Sequence, residues 1–427
     1  MKIGIVGAGL TGLSAAYKLS KNGHKITVFE TEVKAGGLAV GFDEKNWEWS
    51  LEKYYHHFFI NDKFILQLAK EINHKVIIKR SKTSTLINGT ISQLDSPIAL
   101  MKFPFLTFAQ RLRMGISLAL LRYDPIWRLF DRFRAIEVLP KMMGKKGFEM
   151  IWEPLFKAKF GKYVNEISLA WFWARIRKRT SFLAYPEGGF LMFAENLCQK
   201  IRDNGGKFYF NSKIVKINSK EKATLEIIGK GGKKSTFKFD KIIVTVPSFI
   251  FLKITPSLPL NYKKKLGRLK SLGSTSLILR LKKTFLEDGT YWLNVCEKES
   301  PLMAVVEHTN FMDKSYYNNE HLIYIGHYLS EDHPYFTKTK NDLLKKFDPY
   351  LKKINKNYRK NLIGMEFFKT PFAQPIMSVG YGKKIPPFET PLKNVYLANI
   401  DHVFPWDRGT NYAIELGQKI AKRIESS

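Results

Sequence analysis

A chain of 427 residues with 44% hydrophobic side chains can bury core for two or three domains. Seventy basic against 38 acidic residues leave a net charge of +32, which directs attention to anionic partners. No charge-free apolar run approaches the roughly 18 residues of a membrane span, and the two cysteines, Cys198 and Cys296, make neither a disulfide framework nor a metal-ligand spacing, so a reduced, cytoplasmic protein without a metal site is expected.

Residues 1–6 form a short apolar run, and Gly7-Ala8-Gly9-Leu10-Thr11-Gly12 follows at once, ahead of a helical pattern over 13–21. A strand, a G-x-G-x-x-G turn and a helix make the first unit of a dinucleotide-binding fold. Gly7 allows the tight turn, Gly9 lets backbone approach a pyrophosphate, and Gly12 lets helix and strand pack closely. Leu10 and Thr11 complete the phosphate turn, and the helix N-terminus behind them offers unpaired N–H groups and the positive end of its dipole. Because the chain enters this strand directly, no leader peptide is expected. Residues 25–29 read as the second strand, with Glu30 at its end, 23 residues after Gly7, where a carboxylate accepts hydrogen bonds from an adenosine ribose. Gly36 and Gly37, followed by Leu38, bring further backbone amides toward the phosphates.

Tyr54-Tyr55-His56-His57 leads to a helix over 63–72. Neighbouring side chains on a strand face opposite ways, so one of His56 and His57 is expected to line a site, positioning substrate or moving a proton at a pKa suited to neutral pH. A hydrogen-bonded core histidine is the alternative. Strand-like pieces over 76–79 and 84–87 lead to a turn at Asn88-Gly89. Residues 97–183 read as helices: 107–122 behind a Thr107-to-Gln110 capping box and stopped by Asp124-Pro125, then 127–138, 147–155 and 168–179. Over 97–180, 17 Lys/Arg outnumber 6 Asp/Glu, a net +11, among aromatic and aliphatic residues. Such a surface suits anionic lipid or nucleic acid, and no nucleic-acid motif accompanies it. An anionic membrane, met peripherally on its inner face, is therefore the expected partner, with a solvated basic face as the alternative.

At Pro186-Glu187-Gly188-Gly189 the pattern changes to a helix over 190–204, then strands over 207–210, 214–219, 224–229 and 236–239 with a turn at Gly231-Gly232. A buried strand over 241–246 stops at Pro247. This β-meander and strand are expected to complete the first domain's sheet. Strands over 276–281, 291–295, 303–308 and 322–329 suggest an antiparallel sheet, with a helix over 341–353. A last strand over 395–398 runs into Asn399-Ile400-Asp401-His402, then Trp406-Asp407-Arg408-Gly409-Thr410-Asn411 and a closing helix to about 424. No second G-x-G-x-x-G stands in strand-helix context, so no separate nicotinamide domain is expected.

These motifs together resemble the flavin-containing amine oxidase superfamily, which includes protoporphyrinogen oxidase and the phytoene desaturases. The resemblance rests on the N-terminal turn with Glu30, Gly36-Gly37, Pro186-Glu187-Gly188-Gly189, the strand ending Thr245-Val246-Pro247, and the C-terminal helix from Gly409 to Gly417. It implies FAD, with Gly7, Gly9 and Gly12 at the pyrophosphate, Glu30 at the ribose, Gly36 and Gly37 at the phosphates and ribityl chain, and the backbone of Ile214 at adenine. It also implies that Gly409, Thr410 and Asn411 touch the ribityl chain and isoalloxazine ring. Where the family carries Gly-Asp or Gly-Glu, this chain has Ala398-Asn399, so Asn399 or Asp401 takes that carboxylate's place. Where the family often has Arg after the double glycine, this chain has Leu38. No cysteine lies in the C-terminal segment, so FAD is expected to be non-covalent. The chain is also similar, more weakly, to UDP-galactopyranose mutase, in His56-His57-Phe58-Phe59 and Asn399-Ile400-Asp401.

The resulting expectation is an α/β flavoprotein. Its Rossmann-like FAD-binding domain, a parallel sheet plus β-meander, is assembled from 1–82, 186–255 and 365–427, and its α+β substrate domain from 83–185 and 256–364. The expected activity is FAD-dependent oxidation, by desaturation or amine oxidation, of a largely apolar or membrane-derived small molecule, with His56 or His57 and Asp401 as catalytic groups. A redox-neutral mutase acting on a sugar nucleotide is the alternative, and a flavin-holding membrane module without turnover is a third. A long apolar tunnel over the flavin favours a desaturase; an arginine-rich cleft fitting a diphosphate favours the mutase.

Overall fold

Two large sheets organise residues 1–426, which the computed structural model describes. The first is parallel throughout, in the order Lys207–Tyr209, Lys25–Phe29, Lys2–Val6, Lys241–Val244, Val395–Leu397. Its central strands are almost continuously apolar because both faces are covered. Helices Leu10–Lys21, Gly189–Asp203 and Thr410–Glu425 pack together over the core that contains Ile5, Val28 and Ile243. The first and last of these helices approach very closely. A Cβ on Gly417 would lie 2.4 Å from the Thr11 carbonyl oxygen, so only glycine fits there. The ends of the sheet strands at Val6, Phe29, Val244 and Leu397 open toward one crevice, where ligands of such sheets bind.

The β-meander does not extend this sheet. Lys213–Ser219, Ala223–Ile228 and Lys234–Phe239 form a separate antiparallel sheet, packed on the other side of Val6, Phe29 and Val244. Ala223–Ile228 alternates buried with half-exposed residues, the pattern of a sheet with one wet face.

The second large sheet has seven strands, in the order Leu362–Pro375, Ser271–Leu281, His321–Leu329, Ala304–Glu307, Thr290–Val295, Lys82–Ile87, Thr90–Gln93. All neighbours are antiparallel except Thr290–Val295 with Lys82–Ile87. Leu362–Pro375 is unannounced by the pattern of its residues, since it carries two prolines and mixed polarity. An edge position tolerates both.

The helices of 97–178 enclose a second core containing Met114, Leu139, Phe156 and Phe172. Phe108–Tyr123 is capped as expected, Thr107 and Gln110 bonding reciprocally. The helix expected over 127–138 is instead two, Trp127–Phe130 and Ala135–Met143. Asp131 interrupts it by accepting hydrogen bonds from Gly380 N at its carbonyl and from Gly382 N at its carboxylate. The helix expected over 147–155 opens as a π turn, Phe148–Trp152, and continues as Glu153–Phe160.

Candidate active site

The glycine turn is held by backbone geometry that side chains cannot replace. Gly7 has φ +103°, and its N–H donates to Phe29 O at 2.8 Å. A Cβ on Gly12 would lie 2.0 Å from Gly7 O. The second glycine loop lies directly against this turn: Gly36 N donates to Ala8 O at 2.9 Å, and Gly36 bridges Gly9. Gly36 and Gly37 have φ +123° and +59°, and a Cβ on Gly37 would lie 3.0 Å from Gly9 Cα. The helix Leu10–Lys21 starts at Gly9 with no side-chain cap, so the first N–H groups, including those of Leu10 and Thr11, lack an intrahelical acceptor. Two glycine loops in contact beside an uncapped helix N-terminus fit a diphosphate.

Glu30 sits at the end of its strand. One carboxylate oxygen accepts from Ala8 N at 2.7 Å and the other from Glu32 N at 3.0 Å, which fixes it beside the turn. Ile214 pairs with Ile227 in the meander, its side chain buried in core and its strand bulged just after it.

On the other side of the crevice, Asn399 and Asp401 tie the last strand's turn to Pro247-Ser248. Asn399 Nδ2 donates to Val246 O at 3.0 Å and to Ser248 Oγ at 3.1 Å, and its Oδ1 accepts from Asp401 N at 3.1 Å. Ser248 Oγ donates to the Asp401 carboxylate at 2.5 Å. Burial pushes the Asp401 carboxyl up, against this bond. Asp401 lies in a small crevice with Ser248 and Phe372, outside the main cavity, so it does not face the groups expected to act with it.

That main cavity, of about 210 Å³, opens between the seven-stranded sheet, the helices Glu153–Phe160 and Leu169–Lys178, and the start of the closing helix. Both His56 and His57 line it. The expectation that only one would do so assumed a strand, and residues 55–57 are irregular chain between Leu51–Glu52 and Phe58–Phe59. His56 Nδ1–H donates to Tyr54 O at 2.6 Å, which leaves Nε2 as an acceptor. His57 Nδ1 bonds Tyr291 Oη at 3.0 Å. Neither has a pKa near neutrality. Burial first, then Arg408, pushes His56 down to about 4, and burial with Arg179 and neighbouring cations pushes His57 down to about 3. Both are neutral imidazoles at pH 7.

The cavity wall carries five cations, Lys159, Arg175, Lys178, Arg179 and Arg408, against the three carboxylates Asp62, Asp95 and Asp407. Asp407 accepts from Gln374 Nε2 and from Arg408 N, and lies 3.8 Å from both Lys159 and Arg175. Burial pushes its carboxyl up, and these cations more than reverse the shift. Arg408 donates to Gln374 Oε1 and stacks over Tyr328 at 4.8 Å. Burial lowers Arg408 and Arg179 to about 10, and with Arg175 and Arg408 close by it lowers Lys159 to about 7. An excess of desolvated positive charge with too few carboxylates is a site that favours an anion. Aromatic rings complete the walls, Tyr55 edge-on to Trp292 at 4.8 Å, with Trp152 and Phe172 opposite.

At one end the cavity meets the closing helix. Thr410–Glu425 begins at Gly409 with no side-chain cap, and Gly409, Thr410 and Asn411 all line the cavity. Thr410 Oγ1 and Trp152 Nε1 are buried without a partner. Such groups await a ligand or water. Asn411 is partly committed elsewhere: its Oδ1 accepts from Phe64 N at 2.9 Å and Ile65 N at 3.2 Å, capping the helix Lys63–Glu71. Leu38 borders a side crevice with Tyr54, Tyr55, His56 and Arg408. Phe404 and Trp406 turn away, Trp406 stacking between Trp173 and Tyr412.

Sequence reasoning passed over Tyr55, Arg175, Arg179 and Trp292. The signal for two of them was present, since Arg175 and Arg179 are spaced by four residues near the end of a helix and so share a face.

A glycine turn that fits a diphosphate, a carboxylate at the second strand's end and a cavity meeting a second uncapped helix suit a dinucleotide of the flavin type. The family model for flavin containing amine oxidoreductases matches residues 10–424, and the chain belongs to that family. It is 25% identical over 278 residues to the 15-cis-phytoene desaturase of Synechococcus elongatus, with 58% of each chain covered, so the match spans little more than half of that relative. Its fold superposes on putrescine oxidase bound to putrescine with a TM-score of 0.76, at 15% identity, covering 100% of this chain and 99% of the other. It superposes on reduced UDP-galactopyranose mutase with a TM-score of 0.74, at 14% identity, covering 100% and 95%. The family implies a flavin cofactor, which the two glycine loops and the two uncapped helices fit.

Proposed function

We propose that the chain is a FAD-dependent oxidoreductase acting on a small molecule with an apolar body and an anionic group. The observation that carries this reading is the cation-rich, aromatic-walled cavity that ends at the Gly409 helix N-terminus. It refines the largely apolar or membrane-derived substrate expected above, because a wholly apolar ligand would leave the half-buried Arg175, Arg179 and Arg408 facing hydrocarbon.

FAD, when bound, supplies a two-electron acceptor. Backbone N–H groups of Gly9, Leu10, Thr11 and Gly12 would hold its diphosphate, with Gly7 shaping the turn. Glu30 would hold the ribose, Ile214 the adenine through its backbone, and Gly36, Gly37 and Leu38 the opposite side of the phosphates. Asn399 and Asp401 would support the ribityl segment indirectly, by bracing Ser248. The N–H groups at Gly409, Thr410 and Asn411 would face the place where negative charge develops on reduction. The absence of any cysteine near this end supports non-covalent binding.

Arg175 and Arg179 would hold the anionic group, and Trp152, Phe172 and Trp292 would sandwich the apolar body and exclude water. Neutral His56 would accept a hydrogen bond from substrate at Nε2. An anion placed among the arginines would offset their repulsion of His56 and His57, raising both histidine pKa values in the complex. Arg179→Ala is expected to lower kcat/KM by about 10- to 100-fold, from the loss of about 1.5–3 kcal/mol of charge-assisted bonding. The change should appear chiefly in KM, and Arg179→Lys should recover part of it. An unchanged kcat/KM would place the substrate elsewhere.

The arginine-rich wall is also the feature that favours the second reading, a redox-neutral mutase on a sugar nucleotide. Anaerobic mixing with substrate separates the two. Net oxidation bleaches the flavin until an acceptor is added. A mutase turns over only after pre-reduction and leaves the flavin reduced.

A further inference from the structure

We propose that the exposed face of the helix Phe108–Tyr123 docks onto the headgroup region of an anionic lipid bilayer. The buried face, Met114, Ser117 and Leu121, already packs against Ala135–Met143 and Leu169–Lys178. The opposite face is apolar as well. Phe108, Leu112, Ile116, Leu120 and Tyr123 are 47–76% exposed, follow one another at helical spacing, and have only Ala109 and Ala119 beside them on that arc. A helix apolar on both sides is normally buried on both. Ile126, Leu129 and Phe133 just after the helix, and Ile98 in the short helix Pro97–Met101 before it, are exposed as well.

The charge around this patch selects the partner. Residues 97–134 hold seven Lys/Arg and two Asp/Glu. Asp131 is buried, its Oδ2 accepting from Gly382 N, and Asp124 Oδ1 accepts from Ile126 N in the turn just after the helix, which leaves one acid near the patch. The helix itself carries no acid, and its three arginines donate to carbonyl oxygens beside it, Arg111 to Leu106, Arg113 to Met142 and Arg122 to Arg179. Lys102, Arg128 and Arg132 are exposed in the segments that flank this helix. Basic segments flanking an apolar ridge complement anionic headgroups over hydrocarbon. A second copy is disfavoured, because a twofold contact would bring these segments together between chains of net charge +32. The inference does not depend on the substrate assigned above.

The whole protein should co-sediment with vesicles of phosphatidylcholine containing phosphatidylglycerol, and at least about ten-fold less with phosphatidylcholine alone or at high salt. The triple variant Leu112→Gln, Ile116→Gln, Leu120→Gln keeps the charge and alters only exposed side chains. It should bind the anionic vesicles about ten-fold more weakly, with unchanged melting and flavin content. Arg128→Gln with Arg132→Gln, remote from the packed face, should weaken binding comparably and reduce its salt dependence, and it serves if the triple variant misfolds. Binding equal on neutral and anionic vesicles, binding unaffected by either variant, or a dimer in solution that the triple variant abolishes would each overturn the proposal.

Discussion

Gly12→Ala is expected to destabilise the protein and release its flavin, whereas Gly9→Val should release the flavin from a protein that still folds. The difference follows from what each new Cβ meets. At Gly12 it would lie 2.0 Å from Gly7 O, and at 3.2 Å from both Gly7 C and Thr245 Oγ1. The blocking atoms are backbone in a turn that Gly7 holds at φ +103°, so turn and helix must separate. Such overpacking costs about 1–3 kcal/mol or more. At Gly9 the new Cβ would meet only Gly37 Cα, at 3.7 Å, and φ −72° with ψ 170° suits a β-branched residue. The valine would therefore crowd the approach to the helix N–H groups without straining the chain. Visible flavin absorbance after desalting, with the melting temperature of each apoprotein, separates the two effects. A Gly9→Val protein that stays yellow would show that the diphosphate does not lie on this turn.

Acid is expected to unfold the protein cooperatively between about pH 6 and pH 4. Five buried or half-buried histidines are held neutral: desolvation pushes His56, His327 and His402 down to about 4, and His57 and His308 down to about 3. In the unfolded chain each would titrate near 6.5. Below that pH the unfolded state binds protons that the native state does not, so stability is complete above 6.5 and falls as pH drops toward 4. Each of the fully buried His308 and His327 is worth at most about 3 kcal/mol over that interval and the half-buried ones less, which together are large against a total stability of about 5–15 kcal/mol. Glu52 acts the other way. Burial, against bonds from Phe190 N and Tyr185, pushes its carboxyl up to about 7, so acidification from 7 to 4.5 relieves a buried charge. Asp62, pushed up to about 6, and Asp131 and Asp401, also pushed up by burial, act with Glu52, so these carboxyls offset part of what the five histidines remove. His308, bonded to Tyr317 Oη at 2.8 Å and outside the cavity, tests the cause. Circular dichroism against pH should show His308→Gln unfolding at lower pH than the parent once both are compared at equal starting stability. Native signal retained through pH 4 would show that these imidazoles are reached by solvent.

The candidate site divides along the same line as the fold. Elements whose signal is local were legible. The glycine turn, Glu30, the Thr107 capping box and the Gly409 helix start each depend on residues within a few positions of one another, and backbone sterics or capping act over that range. Leu362–Pro375 was not legible, because what makes it a strand is the neighbour Ser271–Leu281, distant in sequence, supplying its hydrogen bonds. The histidine pair shows both sides. Its presence was visible as a motif, but an irregular backbone turned both rings into one cavity, and burial among arginines removed their basicity near pH 7.

From its own residues, this sequence determined a glycine turn that fits a diphosphate, an α/β architecture and a strongly basic net charge. Those properties come from local conformational preference, hydrophobic periodicity and summed charge, none of which needs long-range contacts. Only the tertiary structure decided how the basic residues are shared out. It turned Arg175, Arg179 and Arg408 into a cavity with too few carboxylates, and left Arg128 and Arg132 exposed in the segment that follows an exposed apolar ridge. Whether an arginine faces a buried cavity or water depends on what packs against its helix. The chain assembles those neighbours from segments far apart in sequence, and burial then fixes what each charge can do.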